Sequence, residues 1–264
     1  MVKKALIIGI NYIGTDDALQ GCINDALNIK SFLAREFHVT GSSVRLMTEA
    51  GSPSFQPTHA NILNQIRWLV EGATSESQLF IHFAGHGTQI YDRNNDENDR
   101  RDECICPLDY KTAGLITDDV LRARLVNVLP RGARLFGLFD CCHSGTILDL
   151  KYNYLFHKDQ SNNDSYQTQI ERRARVCRAK VTLISGCLDH QTSADAYINN
   201  KAQGAMTHSF LCSYDLLKKK GKPLTCRHLM KELHKKILEG EFSQRPKLST
   251  GSHVSLMRRL RIFD

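Results

Sequence analysis

The sequence predicts an α/β sandwich with a mostly parallel central sheet, and three observations carry that prediction. Apolar runs of strand length at 4–10, 44–47, 79–84, 133–139 and 181–186 alternate with stretches of helical periodicity. Two of them, 79–84 and 133–139, are dense enough in apolar residues to be buried on both faces. Both stop abruptly at polar or reactive residues, one at Gly85-His86-Gly87 and the other at Asp140-Cys141-Cys142-His143-Ser144-Gly145. In a parallel sheet the residues just past the strands' carboxyl ends gather along one edge, where such folds place their sites.

The elements follow in order. After the strand at 4–10, Ile23, Ala26, Leu27, Lys30, Leu33 and Phe37 mark a helix near 22–37. A short strand at 44–47 leads through a Gly- and Pro-containing loop to a helix capped by Thr58, with Ile62, Ile66, Leu69 and Val70 on one face. The strand at 79–84 precedes a polar loop expected over 89–103. Thr117 or Asp118 begins a helix that Pro130 and Gly132 end, and the strand at 133–139 follows. Residues 151–180 are polar and aperiodic, which predicts a long exposed loop. Order resumes with a strand at 181–186, helices near 207–219 and 224–239, and a closing strand near 253–262.

Composition bounds the rest. At 264 residues, 41% apolar and 24% charged, the chain is an ordinary globule long enough for a substantial core. It has no run long enough to cross a bilayer and no signal-peptide core, so a cytoplasmic protein without a membrane partner is expected. Nine cysteines without the spacing of a disulfide framework agree with a reduced compartment. The formal net charge of +7 is partly concentrated at 172–180, 218–220 and 258–261. No aromatic residues interleave these runs, so they read as solvated loops and helix ends, with no nucleic-acid partner. A basic nucleic-acid-binding module is the alternative.

Cys142 is the candidate nucleophile, because a neighbouring base yields its thiolate readily. His86, at the other strand end, is the candidate base. The tight turn leaves the backbone N–H groups of Cys142 and Gly87 as candidate donors to an oxyanion. Adjacent side chains diverge, so one of Cys141 and Cys142 faces the interior; spacing does not say which. For the same reason His143 is a poor base for Cys142. Consecutive Cys141, Cys142 and His143 lack the separation of zinc ligands. His82, inside its strand, reads as a structural histidine. Residues 92–103 imitate an EF-hand loop but carry Glu97 where the sharp turn needs glycine, so an EF-hand is rejected.

Four blocks, in order, resemble the type I metacaspases, caspase-like cysteine peptidases: Gly21-Cys22-Ile23-Asn24-Asp25-Ala26, Phe83-Ala84-Gly85-His86-Gly87, Asp140-Cys141-Cys142-His143-Ser144-Gly145 and Ser185-Gly186-Cys187-Leu188-Asp189-His190-Gln191-Thr192-Ser193-Ala194-Asp195. The resemblance implies a caspase-like three-layer α-β-α sandwich, a monomer, and a Cys142–His86 dyad, choosing Cys142 over Cys141. It implies one catalytic domain over 1–264, with a large-subunit-like part (1–150), an exposed linker (151–180) and a small-subunit-like part (181–264). Protein or peptide substrates are expected to be cut after Arg or Lys, because Asp25 and Asp140 match positions that line the family's first specificity pocket. Cys22 and Ala84 match further pocket positions, and Ala84 stands where relatives carry serine. Asp102, Asp118, Asp119 and Asp149 match calcium ligands expected to come from three loops, making Ca²⁺ the expected cofactor. Self-cleavage after a basic residue between Lys158 and Lys180 is a further expectation. Many members carry a proline-rich amino-terminal extension, whereas this sequence starts almost at its first strand. The alternative within the same fold is a proteolytically inactive scaffold in protein quality control.

Overall fold

The computed structural model describes residues 2–92, 100–142, 145–158, 164–186, 195–198, 201–240, 242 and 244–264. The first half contains β1 (Lys3–Gly9), α1 (Cys22–Phe37), β2 (Val44–Met47), α2 (His59–Val70) and β3 (Gln78–Ala84). It continues with β4 (Gly87–Tyr91), β5 (Arg101–Ile105), α3 (Tyr110–Ala113), β6 (Ile116–Thr117), α4 (Asp118–Leu121) and β7 (Arg134–Asp140). Then come β8 (Tyr152–Lys158), β9 (Asp164–Ile170), β10 (Lys180–Ser185), β11 (Asp195–Ile198) and β12 (Lys201–Gly204). The chain closes with α5 (Ala205–Lys219), α6 (Cys226–Glu239) and β13 (Lys247–Thr250).

Period-two side-chain alternation sorts the strands' apolar residues onto two faces. Leu6 and Ile8 of β1, Leu79, Ile81 and Phe83 of β3, and Leu135 and Phe139 of β7 share one core with α2 and α4. Ala5, Ile7, Phe80, Phe136 and Leu138 share the other with α1, α5 and α6. The result is a three-layer sandwich. Thr58 caps α2 by accepting from the Asn61 N–H at 3.4 Å, and Thr117 caps α4 by accepting from Val120 at 3.3 Å. The predicted helix through Leu129 is α4 followed by a π-helical turn at Arg122–Val126.

The eight-stranded sheet runs β2-β1-β3-β7-β10-β13-β8-β9, parallel from β2 to β10 and antiparallel beyond. Its central register sets Ala84 of β3 opposite Asp140 of β7, so these two strands end level with each other.

Three expectations are corrected. Residues 151–180 are not one loop, because β8 and β9 form a hairpin that extends the sheet. Tyr154 of β8 is buried, whereas β9 is an edge strand with an exposed polar face, which hid it from an apolar-pattern reading. Residues 89–103 are not all loop either, since β4 pairs with β5 around residues 93–99, which lie outside the described residues. The closing strand is Lys247–Thr250, not 253–262. Leu256, Leu260, Ile262 and Phe263 are buried as expected of apolar residues, but on irregular chain. Among the described residues no helix is long and apolar enough to cross a membrane.

Candidate active site

His86 and Cys142 each lie two residues past the level ends of β3 and β7. The two turns touch. Gly87 packs so closely on the Cys142 carbonyl that a Cβ there would overlap it, and it would also sit 3.3 Å from the Cys141 sulfur. Only glycine permits this approach. Cys141 is fully buried in the core beneath the turn, whereas Cys142 is half-buried at the edge. His143, read as a poor base, and Ser144, read with Gly145 as forming the turn, lie outside the described residues.

His86 is fixed from three sides. Its backbone N–H donates to the Tyr12 hydroxyl at 2.9 Å, and its carbonyl accepts from the Cys106 N–H at 3.0 Å. Its ring lies 4.7 Å, centroid to centroid, from the Tyr12 ring. Its Nε2 is 2.7 Å from the Asp17 carbonyl oxygen. A carbonyl only accepts, so Nε2 carries a proton, and in the neutral ring the lone pair is on Nδ1. The Asp17 segment is tied down in turn. The Asp17 carboxylate accepts from Tyr110 Oη and Lys111 Nζ, both at 2.7 Å, and Glu49 accepts from the N–H groups of Asn11 and Ile13 at 2.7 and 2.6 Å.

Tyr12 and Asp17 escaped the sequence reading, although a signal was present. Both follow β1, a third strand ending at the same edge, where the strand-end rule already placed the site. Tyr12 is 1% exposed, and burial holds its phenol well above the ordinary value, so it stays protonated. It donates to the Cys106 carbonyl at 2.6 Å while accepting from His86. Tyr12→Phe leaves both backbone groups without this partner, at about 1–3 kcal/mol for each buried group. The expected results are a melting temperature lower by roughly 5 °C or more and a slower chemical step, read from a melting curve and kcat.

The specificity candidates converge elsewhere on this edge. Asp25, in the first turn of α1, and Asp140, at the end of β7, are both buried. Asp25 accepts from the Gly204 N–H at 2.8 Å, and Asp140 accepts from the N–H and hydroxyl of Thr207, each at 2.8 Å. A Cβ on Gly204 would collide with both carboxylates, so the two groups meet over one glycine. Cys22 opens α1 and is buried. Ala84 is fully buried opposite Asp140 and brings no hydroxyl beside it. Gly204 and Thr207 were not singled out from the sequence. The fourth family block falls largely on 187–194, outside the described residues.

The acidic candidates are also neighbours. Asp102 lies on β5, and Asp118 and Asp119 open α4, so of the four candidates Asp149 alone comes from a loop, a correction to the expected three-loop origin. Asp118 accepts from the N–H of Glu103 at 2.7 Å and of Asp119 at 2.8 Å. Burial, then the nearby Asp149 and Glu103 charges, push the Asp118 carboxyl up to about 10. Burial also raises the Cys104 thiol, with Asp118, Asp102 and Glu103 adding to it. Glu103 was not anticipated as a member. This hard-oxygen donor set suits Ca²⁺. Among the described residues no three such side chains are already arranged around a common metal position, so binding would have to draw them together. His82 is structural. It is fully buried, donates from Nδ1 to the Leu138 carbonyl at 3.0 Å, and burial pushes it down to about 3.

Known proteins share this framework. Residues 3–151 match the family model described as metacaspase, peptidase C14 domain. A metacaspase-1 of Cryptococcus neoformans is 36% identical over 94% of this chain and 62% of its own length. Metacaspase-1A of Neurospora crassa is 34% identical over 96% of this chain and 64% of its own. For metacaspase-1 of Saccharomyces cerevisiae the figures are 34%, 96% and 67%. The chain therefore spans less than two thirds of the length of the first two relatives. A crystal structure of a Geobacter sulfurreducens protein aligns with a TM-score of 0.66 over 98% of each chain at 24% identity, a likeness of fold.

Proposed function

The chain belongs to the metacaspases of peptidase family C14, and from that premise we propose that it is a cysteine endopeptidase acting through Cys142 and His86. The observation that carries this reading is the meeting of the two strand-end turns, with His86 Nε2 committed to the Asp17 carbonyl. That commitment leaves Nδ1 as the basic nitrogen. Nδ1 takes the Cys142 thiol proton as sulfur bonds to the scissile carbonyl carbon, and the carbonyl electron pair moves onto oxygen. The backbone N–H groups of Gly87 and Cys142 are the proposed oxyanion donors. Collapse expels the amine, which receives the proton from His86, and water then hydrolyses the thioester.

The preferred substrate carries Arg or Lys before the cut bond. Two buried carboxylates over Gly204 suit a guanidinium or ammonium and oppose an acidic side chain. Calcium enters this reading as the cation that offsets crowding among Asp118, Asp149, Glu103 and Asp102, with Asp119 exposed enough to join them. When bound, it would be held by these carboxylates and would supply charge neutralisation among them. Self-processing suits the irregular, exposed basic stretch at Arg172, Arg173 and Arg175 better than strand β9, whose backbone is paired.

The experiment is hydrolysis of a fluorogenic Arg-terminated peptide with added calcium or with chelator. Calcium is expected to raise the rate at least about tenfold, and Asp118→Asn to raise the calcium needed by a similar factor. Equal rates with calcium and with chelator would remove the metal from the reading and leave the dyad standing.

A further inference from the structure

The candidate active site occupies the carboxyl ends of the strands, and a second concavity lies at the opposite edge. A cavity of about 140 Å³ opens at the amino ends of β7 and β10, lined by Arg134, Lys180, Arg258, Arg259 and Arg261. The last three belong to the basic run at 258–261 that the peptidase chemistry leaves unused. Leu135 and Val181 give the cavity apolar lining. Arg258 lies close enough to the buried wall residue Cys226 to act on its thiol.

Anionic groups beside these cations are scarce. Asp264 pairs with Arg134 and lies 3.7 Å from Arg261. Lys180, Arg258 and Arg259 form no ion pair among the described residues. The second guanidinium nitrogen of Arg134, Nη1, is buried with no hydrogen-bond partner. Like charges gathered around one cavity repel one another and raise the local concentration of anions. Guanidinium forks match tetrahedral oxyanions, and surplus positive charge on several residues favours a polyvalent ligand over a single carboxylate.

We propose that this cavity is an anion site for the polyphosphate chain of a small molecule, remote from the peptidase centre and independent of its chemistry. The phosphates lie along Arg258, Arg259 and Lys180, beside the Arg134 guanidinium at the cavity wall. A free inorganic chain and a nucleoside triphosphate share this chemistry.

Calorimetric titration of the intact protein tests it with three probes: sodium tripolyphosphate, ATP and orthophosphate. Tripolyphosphate and ATP are expected to compete for one site, each at least tenfold tighter than orthophosphate, with affinity falling as salt rises. The paired change Arg258→Ala/Arg259→Ala is expected to weaken tripolyphosphate at least tenfold. The exposed pair Lys219→Ala/Lys220→Ala, which removes the same charge at the end of α5, is expected to leave it unchanged. ATP tighter than tripolyphosphate identifies the nucleotide as the better occupant of the same site. Equal weakening by both double variants reduces the effect to net charge and overturns the proposal. So does an absence of heat at millimolar tripolyphosphate. Binding of a single-stranded oligonucleotide that tripolyphosphate fails to displace also overturns it, in favour of nucleic acid.

Discussion

Cys142→Ala is expected to lower hydrolysis of an Arg-terminated peptide by a factor of about 10³ or more, while Cys141→Ala retains most of the wild-type kcat. The two cysteines are adjacent in sequence yet differ in what surrounds them. Cys141 is fully buried in the core shared with β1, β3 and β7, so its loss is a packing defect. Removing its sulfur should cost on the order of 1 kcal/mol and lower the melting temperature by about 2–4 °C. Cys142 retains solvent access, and its carbonyl presses on Gly87, which fixes the Cys142 backbone beside the His86 turn. Its loss should remove the chemistry and spare the melting temperature. The two variants therefore fail in opposite assays. A Cys142→Ala protein that still turns over the peptide, with Cys141→Ala inactive but folded, would reverse the assignment.

The candidate pair His86 and Cys142 was legible because two apolar runs stop abruptly, and abrupt stops on buried strands mark a sheet edge. What the pattern does not encode is lateral order. That β3 neighbours β7, with Ala84 level with Asp140, comes from pairing across the sheet. Residues serving the site through backbone groups were also hidden, because a carbonyl such as that of Asp17 has no side-chain signature. The Asp25–Gly204 contact joins positions 179 residues apart, and Gly204 matters only because nothing else fits between two carboxylates. Hairpin β8–β9 was lost for a different reason. The described side chains of edge strand β9 are exposed on both faces and mostly polar, so its composition alone reads as loop. The buried residues at 256–263 show the converse, in which apolar spacing without ladder partners reads as a strand.

Under the proposed preference for Arg or Lys, the charges of Asp25 and Asp140 should govern substrate choice. Asp25→Asn keeps the volume and the Gly204 contact while removing one negative charge. A charge-assisted hydrogen bond to guanidinium is worth about 1.5–3 kcal/mol, so kcat/KM for an Arg substrate should fall by roughly 10- to 150-fold. The informative comparison is with an otherwise identical citrulline substrate, which keeps the shape of arginine without its charge. Wild-type protein should prefer Arg strongly, and the Asp25→Asn ratio should shrink because only the charged substrate loses. Asp140→Asn should shrink it as well, with an added stability cost from disturbing its two hydrogen bonds to Thr207. Stability separates recognition from architecture. Because Asp25→Asn keeps the volume and the Gly204 contact, a role in recognition alone should leave the melting temperature unchanged. An equal loss on Arg and citrulline substrates, together with a lower melting temperature, would make the carboxylates structural and remove the basis for a basic specificity pocket.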